Sequence, residues 1–122
     1  MLRIASIVAA ALIGAAGCAS AAEGKEKDCQ GSTYDIVTCQ KANLAVLEKR
    51  LALAYAKALD MADSDKQRFQ LVLAQQQWLK FRDANCDYYE LGGGTIARIR
   101  GGNCMLDLTR ARAKELEDAV EP

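Results

Sequence analysis

The chain has 122 residues, with 16 basic and 16 acidic side chains, no histidine, five cysteines and one proline. That length permits one small domain with a limited core, which covalent staples would help. Zero formal charge excludes a nucleic-acid binder driven by bulk basicity, and the missing histidine excludes every Ser-His or Cys-His mechanism and the commonest zinc ligand.

Residues 1–22 read as an export signal. Arg3 gives a positive start, Ile4 to Ala16 is an apolar run too short to cross a bilayer, and small residues follow. Ser20 and Ala22 fit cleavage before Glu23. Ala15-Ala16-Gly17-Cys18 offers the rival reading, a lipoprotein site at Cys18, although Ala15 stands where a larger aliphatic residue is usual. Both readings take the protein out of the cytoplasm, and neither leaves a transmembrane segment.

Residues 23–31 are charged and read as a loose linker, leaving 32–122 as the folded domain. The first helix is expected from Ser32 or Thr33, with Ser32 and Asp35 as a cap signal. Leu44, Leu47, Leu51, Tyr55 and Ala58 then recur at three- and four-residue steps, one apolar stripe ending near Met61. Ser64-x-x-Gln67 is a capping box that opens the second helix. Its stripe is Leu71, Ala74, Trp78, Phe81, Asn85 and Tyr88, and Gly92-Gly93-Gly94 stops it. Thr95 to Arg100, between two glycine clusters, is open between a short strand, a helical turn and a loop. Asn103 caps the expected third helix, with Leu106, Thr109, Ala113, Leu116 and Val120 on one side. Short connections between three helices predict an all-α antiparallel bundle.

Four cysteines remain once Cys18 is removed or lipidated: Cys29, Cys39, Cys86 and Cys104. In an oxidising compartment they imply two disulfides with three pairings open. The local pairs Cys29–Cys39 and Cys86–Cys104 are favoured, each contributing about 3 kcal/mol. No CxxC is present, which argues against a redox motif or zinc knuckle.

The run Ala74-Gln75-Gln76-Gln77-Trp78-Leu79-Lys80-Phe81-Arg82-Asp83-Ala84-Asn85-Cys86 resembles the lysozyme inhibitor LprI family. Flanking features agree in order: the Cys29 and Cys39 pair, Leu51 and Tyr55, Gly93-Gly94-Thr95, then Cys104 with Leu108-Thr109, Arg112 and Leu116. The chain departs from that pattern at Ala52, where asparagine is usual, and at Glu48, which replaces an aspartate. The resemblance implies an exported, all-helical, disulfide-bonded bacterial domain that inhibits lysozyme, with some members lipidated.

Trp78 and Phe81 are expected to fill the core at helical spacing. Arg82 and Asp83 are neighbours, about 100° apart on a helix, so each is expected to bond another element rather than its neighbour. Arg112 is expected to hold Asp83 or a carboxylate on the first helix. The candidate binding element is a loop over Gly92–Asn103, pinned by Cys86–Cys104. Thr95, Arg98 and Arg100 lie on it, with the arginines projecting and Ile96 and Ile99 packing inward. A guanidinium binds a carboxylate bidentately, and lysozyme works with two carboxylates in a cleft. Acidic clusters at Asp60, Asp63 and Asp65 and at Glu115, Glu117, Asp118 and Glu121 are the other charged surfaces. Gly92-Gly93-Gly94 is followed by no Lys-Ser/Thr, so it is no phosphate loop. The expectation is a lysozyme-binding protein with no enzyme activity, cofactor or metal. The alternative is a periplasmic structural or interaction module without lysozyme activity. A third reading, glycan binding by Trp78 or by Tyr88 and Tyr89, requires those rings to be exposed.

Overall fold

The computed structural model describes residues 24–121. The expected export signal, Cys18 included, lies outside them. Three α-helices make up the fold: α1 (Thr33–Asp60), α2 (Asp65–Glu90) and α3 (Ile96–Asp118). No strand occurs among the described residues, and none of these helices is long and apolar enough to cross a membrane.

Both serine caps form. The Ser32 hydroxyl accepts from the Asp35 amide at 3.2 Å, and the Asp35 carboxylate accepts from the Ser32 amide at 3.0 Å. That reciprocal pair satisfies two amides that the first turn cannot. The Ser32 hydrogen bonds also hold the Asp35 carboxyl below its ordinary value. At α2 only half of the expected box is present. The Ser64 hydroxyl accepts from the Gln67 amide at 3.1 Å, but the Gln67 side chain accepts from the Asp63 amide instead.

Consecutive helices run antiparallel, and α3 packs against both others, whereas α1 and α2 touch little. The buried side of α1 is Gln40, Asn43, Leu47, Leu51, Ala54 and Ala58, a regular three- and four-residue progression. It meets Ala113 and Leu116 of α3, with Tyr55, Leu71, Trp78 and Val120 around that cluster. Small residues dominate this contact, so the axes can approach to about 8 Å. Full burial of Leu47 adds about 2 kcal/mol. Arg50 Nε and Nη2 of α1 each reach a Glu117 carboxylate oxygen on α3 at 2.7 Å, fixing the register at the far end.

α3 starts eight residues earlier than its sequence suggests. Thr95, not Asn103, occupies the cap position, and its side chain makes no capping bond. The stretch left open, Thr95 to Arg100, is therefore the cap and first turn of α3. Gly101 and Gly102 are helix interior, not the end of a loop. A Cβ on Gly101 would sit 2.8 Å from the Glu90 Cβ, and one on Gly102 would collide with the Gln40 amide. Gly101 lies in the helix because the α2 backbone at Glu90 passes too closely for a side chain, and Gly102 leaves the space that the Gln40 amide fills.

The segment 24–31 is not a loose linker. Asn43 clasps the Lys27 peptide, accepting from its N–H at 2.8 Å and donating to its carbonyl at 2.7 Å. The Cys29–Cys39 disulfide closes the same segment onto α1. Arg110 of α3 adds a charged bond to Glu26 at 2.5 Å.

Candidate functional site

The side chains of the tryptophan-to-cysteine run divide into a buried node and an exposed face. Arg82 is the centre of the node and is only 6% exposed. Its Nη1 donates to the Thr109 hydroxyl at 3.2 Å and to Glu48 at 3.3 Å, and its Nε donates to Asp83 at 2.9 Å. Its guanidinium also lies 5.3 Å from the centroid of the Trp78 ring. One cation thus links all three helices, with an aromatic face, a hydroxyl and two half-exposed carboxylates around it. Glu48 delivers the α1 carboxylate, so the departure from aspartate preserves the charge.

Three expectations fail here. Arg82 and Asp83 do bond each other, because the long arginine folds back across the 100° between them. Phe81 does not fill the core and is 55% exposed. The buried side of α2 is Gln75, Arg82 and Cys86, turned about a third of a turn from the expected stripe. Polar Gln75 and Arg82 hold inward positions that an apolar count assigns to Ala74 and Phe81. Arg112 reaches neither Asp83 nor α1. Its Nε donates to Gln75 at 3.0 Å and its Nη1 to Glu115 at 2.8 Å. Gln40, Asn43, Gln75 and Glu48 are the determinants that an apolar pattern missed. Gln40 and Asn43 could have been found, because they continue the Leu47–Leu51–Ala54–Ala58 progression in phase.

The α2–α3 corner holds the candidate binding residues, in a different form from the expected loop. The connection is only Leu91 to Thr95, with Gly94 at φ 79° making the reversal. Cys86–Cys104 ties the two helices just behind it. Leu91 is 85% exposed and Ile96 46%, so Ile96 does not pack inward. Arg98 and Arg100 both extend from the first turns of α3, about 200° apart around its axis. Arg98 borders a cleft with Gln40, Lys41, Glu90 and Gly102, and Arg100 borders a shallow groove with Asn85, Tyr89 and Asp107. Neither arginine makes an ion pair among the described residues. Thr95 sits between them at the helix entry.

The acidic cluster at the end of α3 is largely neutralised. Glu117 is held by Arg50, Glu115 by Arg112 and Asp118 by Lys114. The Arg50 hydrogen bonds keep the Glu117 carboxyl below its ordinary value, and the same contact raises Arg50. Tyr88 is 76% exposed and stands edge-on to Tyr89, which is 42% exposed. Trp78 is half-buried against the core.

The chain is thus a three-helix domain held by two disulfides and one central arginine, with an exposed α2–α3 corner pinned by Cys86–Cys104. Residues 24–116 match the family described as "Lysozyme inhibitor LprI", and the chain belongs to that family. It is similar to an uncharacterized protein, R02472, of Rhizobium meliloti (strain 1021), with 31% identity over 94 residues. The match covers 73% of this chain and 59% of that relative's length. No solved structure matches the chain.

Proposed function

We propose that this protein is exported and that it binds lysozyme and blocks its cleft. The observation that carries this reading is family membership across 24–116. Two disulfides suit an oxidising compartment, which supports the export reading. The surface that fits the role is the α2–α3 corner. It is held behind by Cys86–Cys104 and carries exposed apolar side chains beside arginines that make no ion pair among the described residues. A pinned corner loses little conformational freedom on entering a cleft. A guanidinium there can engage the carboxylates on which lysozyme depends. Because Arg98 and Arg100 diverge, one of them points into the cleft while the other contacts its rim.

The test is a cell-wall lysis assay with the oxidised protein added to lysozyme at rising molar ratio. Saturable loss of lysis is expected. The joint variant Arg98→Glu with Arg100→Glu should abolish inhibition at an unchanged melting temperature, and the single variants identify the inserting residue. Inhibition that survives the joint variant rules out the corner. No inhibition by the unaltered protein rules out the lysozyme reading and leaves the periplasmic module.

A further inference from the structure

The outer face of α2 carries a second pattern that the bundle does not use. Ala74, Gln77, Phe81, Ala84, Tyr88 and Leu91 are spaced alternately by three and four residues, and all are exposed. Phe81, Tyr88 and Leu91 are 55%, 76% and 85% exposed. This three-four alternation over two and a half heptads is the spacing of a two-helix seam, with these residues at the inward a and d positions. No charge interrupts it.

We infer that α2 pairs antiparallel with α2 of a second copy of this chain. The register follows from size and charge. With residue 81 opposite residue 84 of the partner, each large side chain meets a small or polar one. Phe81 faces Ala84, Leu91 faces Ala74, and Tyr88 faces Gln77, whose amide can bond the phenol. A parallel pair would instead set Phe81 on Phe81 and Ala84 on Ala84, crowding one layer and emptying the other. The flanking positions agree with the antiparallel register. Lys80 and Asp87 both occupy the outer shoulder of the seam, the g position. In this register each Lys80 falls beside Asp87 of the partner, twice by symmetry. Neither residue has an ion pair within its own chain among the described residues. The seam spans about 27 Å at 1.5 Å per residue, which suits a reversible dimer of micromolar affinity. The corner Gly92–Thr95 lies beyond the last layer, so the dimer presents two corners at opposite ends.

Sedimentation of the oxidised protein over a concentration series tests this without any lysozyme. At about 0.2 mM, well above a micromolar constant, a dimer is expected. Phe81→Glu should give a monomer with an unchanged helical melt, because Phe81 supports no core contact. Lys80→Asp and Asp87→Lys should each weaken the dimer about tenfold, since each sets like charges together at two symmetric sites. The double swap should restore it. A monomer at that concentration overturns the proposal, as does a dimer indifferent to Phe81→Glu or a swap that fails to rescue. A monomer that loses lysozyme inhibition on Phe81→Glu assigns the face to lysozyme instead.

Discussion

Arg82 engages side chains on all three helices, and its energetics follow from what surrounds it. Glu48 and Asp83 are half exposed and can rehydrate when the cation is removed, whereas the Thr109 hydroxyl is fully buried and cannot. Removing Arg82 therefore strands one buried hydroxyl, empties the space beside Trp78 and unlinks three helices. Arg82→Ala should cost about 2–3 kcal/mol, less than the loss of a partner from a fully buried pair. Chemical denaturation checks this, and a loss under about 0.5 kcal/mol would contradict the central role of Arg82. Sequence made the arginine conspicuous but not its direction. A count of apolar residues sends polar side chains outward, and the rule fails where a buried guanidinium finds a hydroxyl, a ring and two acids.

Helix existence was legible at the scale of the elements, and helix faces were less so. Ser32 and Ser64 mark two starts because a serine hydroxyl is the cheapest partner for a free first-turn amide. The α3 start was not legible, since Gly101 and Gly102 read as helix breakers when taken alone. Their function is visible only with the neighbouring helices in place. In an exposed helix, alanine is preferred to glycine by about 1 kcal/mol. At position 101 the sign should reverse. A methyl group there meets the Glu90 Cβ at 2.8 Å and its Cα at 3.3 Å, and Cys86–Cys104 prevents α2 from moving aside. Gly101→Ala should therefore destabilise by about 1–3 kcal/mol. Gly93→Ala, with nothing within 4 Å and no positive φ, should be neutral or slightly stabilising. Thermal melts of the two variants make the comparison, and equal effects would refute the close-packing account.

At the scale of the whole molecule, none of the shifts among the described residues brings a group toward neutral pH. There is no histidine, and the shifts present move groups away from neutrality: Asp35 and Glu117 downward, Arg50, Arg110 and Lys114 upward. Glu117 bonded to Arg50 has a folded value below its unfolded one, near 4.3. Its stabilisation is thus complete above that unfolded value and is lost as pH falls through the folded one. Both partners are more than a third exposed, so solvent screening limits the pair to about 1 kcal/mol at most. Melting temperature should be level from pH 5 to 8 and decline below about pH 4. A midpoint between pH 6 and 8 would contradict this reading.

The arrangement in which α3 touches both other helices also governs when the fold can form. α1 and α2 meet chiefly through long side chains such as Arg82 reaching Glu48, so neither buries its apolar stripe in the other. The helix that completes both contacts is the last in the chain. A nascent polypeptide that has not yet delivered residues 96–118 lacks the α3 face against which Leu47, Leu51 and Trp78 pack. The Cys29–Cys39 bridge can close early, across its own short loop, but Cys86 must wait for Cys104. Premature folding is thereby suppressed by chain order alone, and the chain stays unfolded until its last quarter has been delivered.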